Sequence, residues 1–169
     1  MPLVLVSDTS VLVDLQRGGV LETALRLPYE FAVPDLLFER ELREWEGLAL
    51  KEHLAVLTLD ANGVELAVGY RRADTRLSLP DAFALALAKQ GSHTLLAGDA
   101  TLRALAETEG VECHGVLWVL DEIARRDLAP LETLRAALRS ISEHPRCRLP
   151  RGEIRKRLEE WSRDRPARS

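Results

Sequence analysis

The chain has 169 residues and a mass of 18.9 kDa, a size at which one domain with one core, burying about 70% of its unfolded surface, is expected. Its 46% hydrophobic and 30% charged residues, with 10 Gly and 8 Pro, exclude collagen-like and wholly disordered chains. The net charge of −4 is uneven: residues 139–169 hold ten Lys/Arg against five Asp/Glu and the rest 13 against 22, so a basic tail on an acidic body implies either a polyanionic or acidic partner or a solvated charged helix.

Leu3-Val4-Leu5-Val6 is a continuous apolar run that breaks at Ser7-Asp8-Thr9-Ser10, after which Val11, Leu12, Val13 and Leu15 resume at helical spacing. The pattern predicts strand, turn, helix. Phe31-Ala32-Val33 predicts a second strand, and Pro34 with Asp35 opens a helix through Leu36, Leu37, Phe38, Leu42 and Trp45. A third strand over Leu54 to Leu59 leads past Asp60 into a helix from Val64 to about Arg72. After Leu77-Ser78-Leu79-Pro80-Asp81 an Ala/Leu-rich helix runs to Gln90 and stops at Gly91. Thr94 to Ala97 reads as a buried strand, Asp99 begins a helix containing Leu102, Leu105 and Ala106, and Gly110 caps it. Val111 to His114 is a last short strand, followed by helices over Val116 to Arg126, Leu131 to Ser142 and Arg151 to Trp161, with a frayed end from Arg163 to Ser169.

Strands alternating with helices predict an α/β protein built on a mostly parallel central sheet, with right-handed crossovers and a C-terminal helical extension. The first apolar run is too short for a signal peptide or a membrane span, and a cytoplasmic protein is expected. Cys113 and Cys147 do not make a disulfide framework. Nor do Cys113-His114 and His144-x-x-Cys147 suit zinc, because neighbours on a strand point to opposite faces. His53 and His93 have no metal-ligand spacing.

Ligands of an open parallel sheet collect beyond the carboxyl ends of its strands, and this sequence places acids there repeatedly. Asp8 follows the first strand, Asp99 follows Leu95-Leu96-Ala97, Asp81 stands at the start of a helix, and Glu41 lies in the helix after the second strand. Carboxylates gathered in one cleft raise one another's pKa unless a cation neutralises them, and hard oxygen ligands suit Mg²⁺ or Mn²⁺. Each acid also has a local explanation: Asp8 and Asp99 as helix caps, Ser78-x-x-Asp81 as a capping box, Glu41 as a surface charge beside Glu39 and Glu44. Capping does not explain acids at the ends of both candidate central strands.

Val4-Leu5-Val6-Ser7-Asp8-Thr9-Ser10-Val11-Leu12, Val33-Pro34 leading to Glu41-Leu42, Leu77-Ser78-Leu79-Pro80-Asp81-Ala82, Leu95-Leu96-Ala97-Gly98-Asp99 with Leu102-Arg103, then Gly110-Val111 and Gly115-Val116-Leu117 together resemble a PIN domain over about residues 3 to 125. The resemblance implies an α/β/α sandwich and a metal-dependent endoribonuclease acting on RNA. Short prokaryotic members are often VapC-type toxins held inactive by a small antitoxin protein, and a homodimer is expected. By this resemblance Asp8 and Asp99 bind Mg²⁺ or Mn²⁺ directly, Glu41 and Asp81 complete the catalytic cluster, and Ser10 is the small polar residue that orients it. Residues 1–145 become the nuclease domain. Residues 146–169 become a basic helical extension of it, with Arg146, Arg148, Arg151, Arg155 and Arg157 carrying the charge. The chain departs from the family pattern at Ala97 and Gly98, where a hydroxyl and a further acid are common, which leaves open a catalytically weak RNA- or protein-binding module. A receiver-like phosphoacceptor also carries strand-end acids, but its paired acids after the first strand and its late lysine do not occur here. No Ser/His/Asp order, P-loop or dinucleotide glycine fingerprint offers another chemistry.

Overall fold

The computed structural model describes residues 3–45 and 52–163. Five parallel strands, β1 (Leu3–Ser7), β2 (Tyr29–Pro34), β3 (Leu54–Leu57), β4 (Thr94–Leu96) and β5 (Cys113–His114), form one sheet in the order β3-β2-β1-β4-β5. β1 is central, pairing Leu5 with Phe31 on one side and Ser7 with Leu96 on the other. A strand covered on both faces needs apolar residues at successive positions, and the Leu3 to Val6 run supplies them.

Alternate residues serve two cores. Leu5 and Leu96 enter one cluster with α1 (Thr9–Arg17), α2 (Leu21–Leu25), α7 (Val116–Arg125), α8 (Leu131–Glu143) and Trp161 of α9 (Arg151–Ser162), while Val6 and Leu95 enter the other with α4 (Ala61–Ala73), α5 (Leu79–Gly91) and α6 (Ala100–Thr108). The molecule is therefore an α/β/α sandwich. Chain order runs outward from β1 to β3, returns, and continues through β4 to β5. The order reverses between β1 and β4, and it is there that loops splay apart and leave a crevice at the carboxyl edge.

Several elements differ from the sequence expectation. α2, too short for a clear period, was not predicted. The helix after Pro34 is a single turn, α3 (Asp35–Leu37), followed by a wider π turn over Phe38–Leu42 in which the Arg43 N–H bonds the Phe38 carbonyl. It ends before Trp45. The strand expected to reach Leu59 ends at Leu57, and that expected from Val111 begins at Cys113. α5 includes Gly91 and is closed by the left-handed Ser92 (φ 52°). The frayed end falls mainly on residues 164–169, outside the described residues.

The C-terminal helices close the second core. α8 lies against α1 at Gly18, where a Cβ would stand 3.1 Å from Ile141 Cδ1 and 3.2 Å from Ala137 Cβ. A side chain at this position would press on α8, and glycine allows the close approach without displacing it. α9 is pinned to α7 by Arg157, whose guanidinium bonds both carboxylate oxygens of Asp121 at 2.7 and 2.8 Å. This two-pronged, part-buried pair is the geometry in which an ion pair holds elements together best.

Candidate active site

Three of the four acids are fixed by helix starts. The first backbone N–H groups of a helix lack intrahelical partners, and a carboxylate just before the helix meets that need. Asp8 caps α1 by accepting the Val11 N–H at 2.9 Å, and Asp99 caps α6 by accepting the Leu102 N–H at 2.9 Å. At α5 the cap is Ser78, whose Oγ accepts the Asp81 N–H at 3.2 Å, leaving the Asp81 carboxyl free of that duty. Pro80 costs no helix hydrogen bond so early in α5.

Asp8 is 2% exposed and sits at the strand-order reversal. Its Oδ1 takes the Val11 N–H; its Oδ2 accepts from Ser10 Oγ at 2.9 Å and from the Gly98 N–H at 2.8 Å. The third bond crosses from the β4 side, so Asp8 ties the two central strands together. Burial raises the Asp8 pKa, and the three donors partly oppose that rise. A carboxylate has about four acceptor positions, which leaves one on Oδ1.

Asp8, Glu41, Asp81, Asp99 and Ser10 all line one cleft of about 520 Å³. Glu41 is held by Thr9, whose hydroxyl donates to its Oε2, whereas Glu39 turns to Arg43 at 3.0 Å. The π turn thus separates Glu41 from the neighbouring Glu39. Asp81 is pushed up to about 7, first by burial and then by the charges of Asp8, Glu41 and Asp99. Asp81 thus feels the other three acids.

This donor set fits a hard divalent cation: all oxygen, mutually repelling, with a free position on its most buried member. Among the described residues no three His, Cys, Asp or Glu side chains close around an ion by themselves. Such an open arrangement is one that Mg²⁺ accepts, since it keeps several waters and takes one or two carboxylates together with substrate oxygens.

The cleft also contains residues that the sequence reading did not place there. Asp14 and Arg17 of α1 pair at 3.4 Å, and burial raises Asp14. Arg103 of α6 lines the cleft, and its charge opposes the burial that pushes the Cys113 thiol up to about 11. Arg146 and Arg148 arrive from the α8–α9 loop. The i, i+3 spacing of Asp14 and Arg17 was readable; their place in the cleft was not.

Family comparison fits this architecture. The family model DUF3368, described as a PIN domain, matches residues 4–163. The chain belongs to the PIN-domain family. PIN domains are generally divalent-metal-dependent nucleases, and the acids of this PIN domain stand at the reversal of its strand order. A search of curated proteins finds no match. Among the described residues no helix is long and apolar enough to cross a membrane.

The departure at Ala97-Gly98 has a local reason in this PIN domain. A Cβ at Gly98 would lie 2.5 Å from Ser10 Oγ, so a side chain there and the Ser10 bond to Asp8 exclude each other. Gly98→Ala should displace Ser10, lower the melting temperature by about 2–4 °C for each ~1 kcal/mol lost, and reduce any metal-dependent activity on the order of tenfold. Thermal melts beside Ser10→Ala check this: wild-type behaviour of Gly98→Ala would mean that Ser10 does not orient Asp8.

Proposed function

We propose that this PIN domain is a metal-dependent endoribonuclease that hydrolyses RNA phosphodiester bonds. The observation supporting it is the joint placement of Asp8, Glu41, Asp81 and Asp99 in one cleft, with Asp8 held at three points and bearing an unused acceptor position. Asp8 and Asp99 would hold Mg²⁺ or Mn²⁺, with Asp81 and Glu41 completing the set. When bound, such an ion supplies Lewis-acid polarisation of the scissile phosphate and offsets the charge that develops during in-line attack.

The protein's own groups do the rest. Val11, Ser10 and Gly98 fix the Asp8 carboxylate so that it needs no reorganisation as charge develops. Thr9 holds Glu41 against the same wall. Burial and the neighbouring carboxylates hold Asp81 toward its protonated form; once ionised, its Oδ atoms can accept the proton of attacking water.

The resemblance to prokaryotic PIN proteins supports a further reading: the toxin half of a toxin–antitoxin pair, a cytoplasmic homodimer inhibited by a small antitoxin. The free Cys113 and Cys147 suit a reducing compartment. Co-purification with the product of a neighbouring reading frame tests the pairing.

The decisive assay incubates end-labelled single-stranded RNA with the protein in Mg²⁺, Mn²⁺ or EDTA. Internal cleavage in either metal and none in EDTA is the expected result. RNA binding without cleavage in any metal would instead establish the binding-module reading.

A further inference from the structure

The β5 edge of the sheet carries a stack of rings that the metal chemistry does not use. Cys113 of β5 packs on the core formed with α5 and α6, so its neighbour His114 projects to the opposite face, beside α7. There its imidazole lies flat on the indole of Trp118, with ring centroids 4.4 Å apart and planes within 7° of parallel. Trp118 in turn meets Tyr29 of β2 at 5.7 Å, tilted by 31°, and the Arg126 guanidinium lies over Tyr29, 5.4 Å from its centroid. Residues 118, 122 and 126 recur every four positions, so Trp118, Glu122 and Arg126 share one side of α7 and its cap.

The stack is fixed at both ends. The Tyr29 hydroxyl donates to Glu122 Oε2 at 2.6 Å and accepts from Arg126 Nη2 at 3.2 Å. At the other end His114 Nε2 meets Glu112 Oε1 at 3.3 Å, and the Thr94 hydroxyl donates to the second oxygen of the same carboxylate at 3.0 Å. Tyr29 and Trp118 also pack on the core beneath. The imidazole is held by its edge and by one face, yet 28% of the His114 side chain stays exposed. A ring already fixed in this way loses little further freedom when something lies on it. Next to it in the chain, Gly115 and Val116 line the acidic cleft, so the stack begins where the cleft wall ends.

We propose that His114, backed by Trp118, is a stacking subsite for a nucleobase of the RNA, next to the nucleotide whose phosphate lies at the acid cluster. This rests on the nuclease reading and adds a determinant of base preference. The sugar carries each base away from the phosphates, so a strand with one phosphate at Asp8 and Asp99 presents an adjoining base outside the cleft. A base on the imidazole extends the His114–Trp118 stack by one more flat ring. Every base has such a face, and preference among them follows stacking strength, so the larger purine ring is favoured over a pyrimidine.

The test measures anisotropy of fluorescein-labelled oligo(A), oligo(U) and an abasic ribose-phosphate strand, all of one length and charge, with the full chain in EDTA. Equal charge cancels the phosphate contribution, so the ratio of affinities reads the bases. Wild type should bind oligo(A) most tightly and the abasic strand least. In His114→Thr the advantage of oligo(A) over the abasic strand should fall on the order of tenfold, the effect of one lost stacked base, with the abasic affinity unchanged. His114→Phe, which keeps a flat ring without its nitrogens, should retain the advantage. In wild type the imidazole proton resonances of His114 should move upfield with oligo(A) and stay in place with the abasic strand, a readout that needs no variant. An advantage kept in full by His114→Thr that circular dichroism shows folded, or His114 resonances indifferent to the bases, would overturn the subsite. Cleavage is read on the same proteins. Metal-dependent cleavage with a base preference that ignores His114 removes the subsite and keeps the nuclease, whereas no cleavage in any metal with the His114-dependent preference intact removes the nuclease reading and leaves the stacking site standing.

Discussion

Asp8→Asn should reduce Mn²⁺-dependent RNA cleavage by at least about 100-fold, since altering groups that only support a metal ligand already costs about 10- to 100-fold. The structure adds a second effect. Val11 N–H, Gly98 N–H and Ser10 Oγ all donate to the Asp8 carboxylate. An asparagine has one carbonyl oxygen, so its NH₂ must face either Val11 N–H or Gly98 N–H, and one buried donor is left unmet at about 1–3 kcal/mol. Removal of a buried charge offsets part of that cost. Cleavage assays on protein shown to be folded, compared with Ser10→Ala at roughly tenfold loss, separate the roles: wild-type cleavage by Asp8→Asn would end the metal-ligand assignment.

The second large effect is a stability that depends on pH and metal together. Asp8 and Asp81 both have pKa values raised on folding, Asp81 to about 7. Between about pH 4 and 7 the folded chain therefore retains protons that the unfolded chain has released. Stability falls with pH wherever the folded state binds more protons, so metal-free protein should melt higher near pH 5 than near pH 7.5. Mn²⁺ at pH 7.5 should reverse this; an ion binding only the folded form at about 100 times its Kd adds ~2.7 kcal/mol, roughly 5–10 °C here.

Asp99→Asn probes the same balance from another side. Asparagine caps helices as well as aspartate does, so the bond from the Leu102 N–H can persist while one charge facing Asp81 disappears. The metal-free variant should melt no lower than wild type at pH 7.5, yet gain much less from Mn²⁺. Calorimetry with and without the metal decides: a lowered metal-free melt together with no Mn²⁺ effect on wild type would reduce Asp99 to a helix cap.

The glycine at position 98 shows how a departure from a family pattern is read differently once neighbours are known. In sequence Ala97-Gly98 is a loss of polar groups. In the fold the Gly98 N–H is itself a donor to Asp8, and the missing side chain is the space that Ser10 Oγ occupies. What the pattern lacks at one position is supplied from β1's own turn.

Much of the architecture was determined by the sequence alone. Apolar runs ending in Asp8 and Asp99 and the Ser78-Leu79-Pro80-Asp81 start are local signals, because a strand end and a helix cap are set by residues within one turn of each other, and they located all three aspartates. The existence and parallel arrangement of the strands followed from their alternation with helices. What only tertiary structure decided depends on residues far apart in the chain. Glu41 was separated from Glu39 by a π turn and by Thr9, 32 positions away, and no periodicity encodes that pairing. The five arginines of the tail are alike as a string; docking of α9 through Arg157 and Asp121, 36 positions apart, commits one to structure, turns two to solvent and brings Arg146 and Arg148 to the cleft. Charge along a chain is additive, but its place relative to a site is set by packing.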